Sequence, residues 1–198
     1  MLSSITPLGE RGRNNRFAVA AAFFVAGSLL GGAAIGALAG GLGAWFVPDA
    51  PTVVAAVIAA LALVGAALDA RFVGTRLPTI TRQVDERWLQ KYRGWVYGFG
   101  FGVQLGTGVA TIITSAAVYV MLIAALLSRS VVAGVGIGVT FGIVRGASIL
   151  LARRIRTPDE LRAFHRRLAA NASRSERAGV AAQGLIAVLG VVAIVGLR

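Results

Sequence analysis

The length of its uninterrupted apolar stretches constrains this chain more than any other feature. A helix needs about 20 apolar residues to cross roughly 30 Å of hydrocarbon. Charged residues make up 14% of the chain, against roughly 25% in soluble domains. The sequence therefore predicts an all-α polytopic membrane helical bundle, forming one integral membrane domain over residues 1–198. Its five predicted transmembrane spans are about 17–46, 52–70, 96–127, 131–152 and 178–197.

The third span is too long for a straight crossing. Its 32 residues would extend roughly 48 Å as one helix, at about 1.5 Å per residue. The segment "YGFGFGVQLGTG" also carries glycine at alternate positions, which weakens a helix. Three alternatives stay open from the sequence: this span tilts, protrudes from the membrane, or breaks into two pieces.

The number of basic residues alternates between high and low from one connection to the next. Three precede the first span, six lie in 71–95 and eight in 153–177, so seventeen lie on one side. The other side carries Arg129 and Arg198, and Arg145 lies within a span. The positive-inside rule then predicts a cytoplasmic N-terminus and an exoplasmic C-terminus in an inner (plasma) membrane of bacterial type. The net charge of +12 therefore lies mainly at the cytoplasmic face, where we expect the basic residues to contact anionic lipid headgroups. This distribution does not favour binding of nucleic acid.

Two cytoplasmic connections are predicted to form amphipathic helices at the membrane interface. In "TPDELRAFHRRL", Thr157 is a candidate N-cap and Pro158 suits the first helical turn. In "RQVDERWLQKYRGW", helical spacing relates four residues, Val84, Trp88, Tyr92 and Trp95, and we expect their aromatic side to face lipid.

Glycine recurs every four residues in three of the spans. Residues four apart share a helix face, and membrane helices associate through small residues that let backbones approach closely. These faces predict a tightly packed bundle of the glycine-zipper kind, with packing inside the chain or against another subunit as alternatives. The predicted packing glycines are Gly32, Gly36, Gly40, Gly98, Gly102, Gly106, Gly134, Gly138, Gly142 and Gly146.

Few polar side chains lie within the spans, and such residues are candidates for function. Arg145 is about 12 Å of helix rise from the end of its span, and Asp69 is the only acid in a comparable layer. The structural interpretation is an Asp69–Arg145 ion pair, or an Arg145 side chain that extends to the membrane interface. The functional interpretation is recruitment of an anionic solute or lipid headgroup by Arg145. The candidate substrate path consists of Gln104, Thr107, Thr111 and Arg145.

Several kinds of chemistry are excluded or disfavoured. The chain has no cysteine and one histidine, His165, which excludes thiol redox chemistry and a multi-histidine metal site within this chain. It contains no P-loop, zinc-protease motif or nucleophile elbow. We therefore expect no enzymatic activity, no catalytic residues, no bound metal and no cofactor.

Two stretches, "GSLLGGAAIGALAGG" and "YGFGFGVQLGTGVATIITSAAVY", resemble the glycine-rich first helices of the DsbD/CcdA group and of LysE-type exporters. The resemblance implies an exporter-like bundle. Without cysteine the thiol chemistry of the DsbD/CcdA group does not carry over, and the chain has five predicted spans where that group usually has six.

These features favour a small inner-membrane transporter or exporter for a neutral or anionic small solute or a lipid-like compound. The alternative is a non-catalytic membrane scaffold, or an accessory subunit of a membrane complex, that docks a partner. In either case the expected surroundings are the lipid bilayer, with a second copy or another membrane subunit as candidate partners.

Overall fold

The computed structural model describes residues 5–70, 87–110, 113 and 115–196. All regular secondary structure in these ranges is helical. Four helical segments are long and apolar enough to cross a membrane, which is the pattern of a multi-pass membrane protein. In chain order the elements are α1 (Pro7–Gly12), α2 (Phe17–Phe46), α3 (Pro51–Asp69), α4 (Trp88–Lys91), α5 (Gly94–Thr107), α6 (Ala117–Leu127), α7 (Val131–Ala147), a 3-10 helix (Ser148–Ala152) and α8 (Pro158–Gly196).

Helix α2 lies at the centre of the fold and packs antiparallel on α7. A Cβ added at Gly32 would overlap the carbonyl oxygen of Gly138, and one at Gly36 would overlap that of Gly134. The hydroxyl of Ser28, fully buried, donates to the carbonyl of Gly142 at 3.0 Å. The two backbones therefore touch without intervening side chains, which gives the dispersion contacts on which helix association in lipid depends.

A second glycine face of α2 packs parallel to α5. A Cβ at Gly102 would overlap the carbonyl oxygen of Phe24, and one at Gly27 would overlap that of Phe99. Nine of the ten glycines predicted from the spacing lie in such backbone contacts, and the tenth, Gly146, lies against the side chain of Ser28. The spacing did not indicate that Gly27, Gly31 and Gly43 of α2 also lie against other helices, Gly27 and Gly31 against α5 and Gly43 against the end of α6.

The predicted third span is two helices. Helix α5 ends at Thr107, Gly108 has a positive φ of 75°, and α6 begins at Ala117. The break follows the glycine-rich stretch, because a left-handed φ suits glycine and stops the helix. Helix α5 lies beside the first half of α2, and the end of α6 at Leu126 lies beside Gly43. Of the three alternatives for this overlong span, the structure shows the broken one.

Helices α3 and α8 form a separate antiparallel pair. Ala59 lies beside Gly190 and Gly65 beside Gln183. The pair contacts the rest of the bundle chiefly through α6, where Ala62, Val120 and Ala187 form a small buried cluster. The fold thus has a glycine-packed group (α2, α5 and α7) and a helix pair (α3 and α8), with α6 between them.

Helix α8 merges two predicted elements. The sequence predicts an interfacial helix near 157–168 and a separate span at 178–197, whereas the structure has one continuous helix of 39 residues. The intervening sequence "AANASRSERAG" contains no proline and ends no helix. The predicted start is confirmed: Thr157 Oγ1 accepts from the Glu160 amide at 3.2 Å, while Glu160 accepts from the Thr157 amide at 3.0 Å. A hydrogen bond from the Arg156 amide is the main cause that lowers the pKa of Glu160.

The aromatic connection before α5 packs partly on protein. Val84 lies outside the described residues, and the described helix here is only α4. Trp88 is half-buried and its ring stacks on Phe101 with centroids 6.1 Å apart, so only its exposed part could face lipid, and that orientation stays a prediction. Gly100 leaves the space for this indole. Tyr92 and Trp95 are exposed by 40% and 47% and stay available to the interface.

Two glycines of α7 allow a matched test of backbone packing. Gly138→Ala should destabilise the bundle by about 1–3 kcal/mol, because its Cβ has no room beside the Gly32 carbonyl. Gly136→Ala has no atom within 4 Å of the new Cβ, so helix propensity alone should make it neutral or about 1 kcal/mol more stable. Thermal unfolding in detergent measures both, and equal effects of the two substitutions would contradict the packing described.

Candidate functional site

The carboxylate of Asp69 binds the start of α6. Its Oδ1 accepts from the Ala116 amide at 2.8 Å, and its Oδ2 accepts from the Ser115 hydroxyl at 2.7 Å. The N-terminus of α6 has no cap from its own N-cap side chain, so Asp69 supplies an acceptor for a helix end that would otherwise leave amide groups unpaired. A negative charge is also favourable at this end of a helix dipole.

Gln183 of α8 completes the same cluster. Its side-chain amide nitrogen donates to Asp69 Oδ2 at 2.6 Å, and the residue is 1% exposed. Its buried Oε1 has no hydrogen-bond partner among the described residues and occupies the notch left by Gly65, where a Cβ would overlap it. The cluster therefore ties α3, α6 and α8 together at the break in the third span.

Two cavities lie on either side of this cluster. The larger, of about 820 Å³, is an almost wholly apolar groove between α6, α7 and α8. Its lining residues are Ala117, Val120, Met121, Ala124, Ala133, Gly136, Ile137, Thr140, Phe141, Val144, Ala182, Gln183 and Ile186. The smaller, of about 440 Å³, is more polar and is lined by Asp69, Ala70, Ser173, Glu176, Arg177, Val180 and Ala181. Gln183 lines the first cavity and Asp69 lines the second, so their hydrogen bond joins one lining residue of each cavity.

The predicted substrate-path residues are placed elsewhere. Gln104 and Thr107 lie together on α5, where the Thr107 hydroxyl donates to the Gln104 carbonyl at 2.9 Å. Thr111 lies outside the described residues. Arg145 lies over the ring of Phe141, with its guanidinium carbon 5.2 Å from the ring centroid. None of the three described residues lines the apolar groove or the polar cavity next to it.

The predicted ion pair between Asp69 and Arg145 is wrong. Both carboxylate oxygens of Asp69 are occupied by Ser115, Ala116 and Gln183, and Arg145 has an aromatic partner instead of an acid. The two residues lie at a comparable depth in their predicted spans, but the start of α6 lies against Asp69 and supplies its hydrogen-bond donors.

Gln183 was missed by sequence reasoning, although a signal was present. It is an amide side chain in the otherwise apolar last span, comparable to Gln104 in the third. Buried amides need a partner, and Asp69, the only acid within the predicted spans, was the natural candidate.

Comparison of the chain with protein-family models, with curated proteins and with solved structures finds no match. Within the described ranges, no three His, Asp or Glu side chains converge as metal ligands do. What the site does must therefore be inferred from its own geometry.

Removing the Asp69 carboxylate should be costly. Asp69→Ala leaves the Ala116 amide and the Gln183 side chain without their acceptor, at about 1–3 kcal/mol for each unsatisfied buried group. The matched control is Asp49→Ala, because the side chain of Asp49 is 85% exposed in its ion pair with Arg129. An exposed pair contributes about 0–1 kcal/mol.

Denaturant unfolding in detergent measures both aspartate variants. A loss of stability confined to Asp69→Ala supports the capping role. Similar stability of the two variants would show that Asp69 does not hold α6.

Proposed function

We propose that this chain is a small inner-membrane transporter for a lipid-like amphiphile. The observation that carries the proposal is the apolar groove of about 820 Å³, which ends at the buried Asp69–Gln183 hydrogen bond. Ligand sites generally combine an apolar cavity of about 300–1,000 Å³ with a few polar groups that fix orientation. The exporter-like character expected from the sequence resemblance is consistent with this proposal.

The groove suits an acyl or other hydrocarbon chain. Apart from Thr140 and Gln183 its lining residues are apolar or glycine, and the Thr140 hydroxyl already donates to the Gly136 carbonyl at 2.8 Å. A polar solute would leave its own hydrogen-bonding groups unsatisfied there. This narrows the sequence-based expectation from small solutes in general to lipid-like compounds.

The polar end of the path favours a headgroup that donates hydrogen bonds. Asp69 and Glu176 line the smaller cavity together with Arg177, so acids outnumber bases there. An anionic headgroup would be repelled by the charges of the two carboxylates, whereas an ammonium group would be attracted by them. We therefore propose a neutral, zwitterionic or amine-bearing amphiphile.

The contacts between the helices allow the α3 and α8 pair to move relative to the glycine-packed group. The pair α3 and α8 contacts the glycine-packed group chiefly through α6, and α6 is detached from α5 by the break after Thr107. Broken helices beside binding sites, and rocking of one helix group against another, are recurring features of transporters. In this scheme the contacts of Asp69 with Ser115 and Ala116, at the start of α6, open and close as the pair rocks.

The proposed topology counts α5 and α6 as one crossing, which gives five crossings in total. The long α8 then comprises an interfacial N-terminal part and a membrane-spanning C-terminal part. The excess of arginine in the connections favours a cytoplasmic N-terminus and an exoplasmic C-terminus.

A second candidate function is a scaffold whose groove accepts a helix of a partner subunit. The observation in its favour is the number of small residues at the groove: Ala117, Ala124, Ala133, Gly136 and Ala182. Small residues let a helix backbone approach closely. The two functions differ in whether a lipid moves across the membrane.

Filling the groove tests transport directly. The probe is phosphatidylethanolamine carrying a fluorophore on its acyl chain, in liposomes containing the purified protein. Wild-type protein should accelerate its movement between leaflets, and Ala182→Trp should reduce that rate at least about tenfold by occupying the groove. The readout is the fraction of fluorophore quenched by a membrane-impermeant reductant over time.

Leu185→Trp is the matched control, because Leu185 is on the same helix, is 60% exposed and does not line the groove. It should transport at the wild-type rate. No acceleration by the wild-type protein, or equal inhibition by both tryptophans, would contradict the transport proposal.

A further inference from the structure

Four arginines converge on a cavity at the end of the bundle where α1 lies. The cavity has a volume of about 570 Å³, and it is lined by both the N-terminal segment and the turn before α8. No acid is among its lining residues, which are Pro7, Arg11, Asn14, Asn15, Arg16, Phe17, Arg153 and Arg156. We call this cavity the basic basin.

The two walls of the basic basin are fixed to each other and to the bundle. The Leu8 amide donates to the Ile155 carbonyl at 3.0 Å, and Ile155 is 3% exposed. Glu10, fully buried, accepts a short hydrogen bond from the Tyr97 hydroxyl and pairs with Arg13 at 2.6 Å. The basin is therefore built on anchored segments, although its arginines are far apart in sequence.

Three arginines of the basin, Arg11, Arg16 and Arg153, have no acid partner among the described residues, whereas the charge of Arg156 helps to lower the pKa of Glu160. Glu10, the acid of the N-terminal segment, is occupied by Arg13 and Tyr97. Burial alone would lower the pKa of Arg13, but its hydrogen bonds with Glu10 and Tyr97 outweigh burial and raise that pKa. Across residues 5–70, 87–110 and 115–196, no ion pair with an acid involves Arg11, Arg16 or Arg153. An anion in the basin would relieve the repulsion between these charges.

We propose that the basic basin binds a phosphate group. Guanidinium groups match phosphate oxygens with paired hydrogen bonds, and Asn14 and Asn15 add neutral donors. Phe17, the first residue of α2, lies in the lining and places the basin where an apolar span begins. The phosphate can therefore belong to an anionic lipid headgroup or be free in solution. This site is independent of the apolar groove and of the proposed transport.

Ligand-dependent thermal stability in an uncharged detergent tests the site. The probes are short-chain phosphatidylglycerol, inorganic phosphate and short-chain phosphatidylcholine. Phosphatidylcholine is the control, because the negative charge of its phosphate is already balanced by its own choline group. Phosphatidylglycerol should raise the unfolding temperature of the wild type in a saturable way. Arg16→Gln combined with Arg153→Gln removes one arginine from each wall and should weaken this binding at least roughly tenfold.

The matched control is Arg166→Gln combined with Arg167→Gln, which removes the same charge from the exposed side of α8. It should bind like the wild type. If the first basin variant does not purify as a folded protein, Arg11→Gln combined with Arg156→Gln removes the other arginine from each wall and should show the same loss.

The probes separate the sources of the phosphate. Stabilisation by both phosphatidylglycerol and inorganic phosphate indicates recognition of phosphate itself, and stabilisation by phosphatidylglycerol alone indicates a lipid headgroup. No response to either probe, equal stabilisation by phosphatidylcholine, or an equal loss in the α8 control would overturn the proposal.

Discussion

Direct contact between helix backbones is the interaction on which the rest of this structure depends. In lipid, burial of apolar side chains between helices contributes little, because the surrounding hydrocarbon is equally apolar. Helix α2 instead presents glycine to α7 on one face and to α5 on another, so that carbonyl oxygens lie where Cβ atoms would be. This group is the fixed reference against which the other helices are placed.

The same requirement explains the polar cluster at the break in the third span. The glycine-rich sequence of α5 allows close packing on α2 but also ends the helix at Thr107. The new helix end at Ala117 then needs acceptors for its amide groups. Asp69 supplies them from α3, and Gln183 joins from α8. The close packing of α5, the break after it and the polar cluster at that break are thus all consequences of the glycine-rich sequence of α5.

The sequence predicted the residue ranges of the helices better than it predicted which helices contact each other. The first apolar stretch, 17–46, coincides with α2, and the second, 52–70, is shifted by one residue from α3. Spacing alone also identified the glycines that meet between α2, α5 and α7, because a period of four fixes a helix face whatever lies opposite. The continuity of α8 was missed because its basic N-terminal part and apolar C-terminal part differ in composition but not in backbone conformation.

The candidate site was harder to foresee. Asp69 was singled out correctly as an unusual residue, but its partner was wrong, since a hydropathy pattern gives depth along the membrane normal and not position around the bundle. Gln104 and Thr107 satisfy the polarity expected of a path, yet the cavities lie beside α6 and α8. The face of α8 that meets α3 is set by two contacts, Gly65 with Gln183 and Gly190 with Ala59. One sequence does not reveal which residues meet in this way.

The contact between the α2 and α7 backbones can be measured by solid-state NMR on protein in lipid, with ¹³C incorporated at glycine. The account predicts carbon–carbon cross peaks between Gly32 and Gly138 and between Gly36 and Gly134. Resolved and assigned signals for these four residues with no cross peaks between the two helices would contradict it.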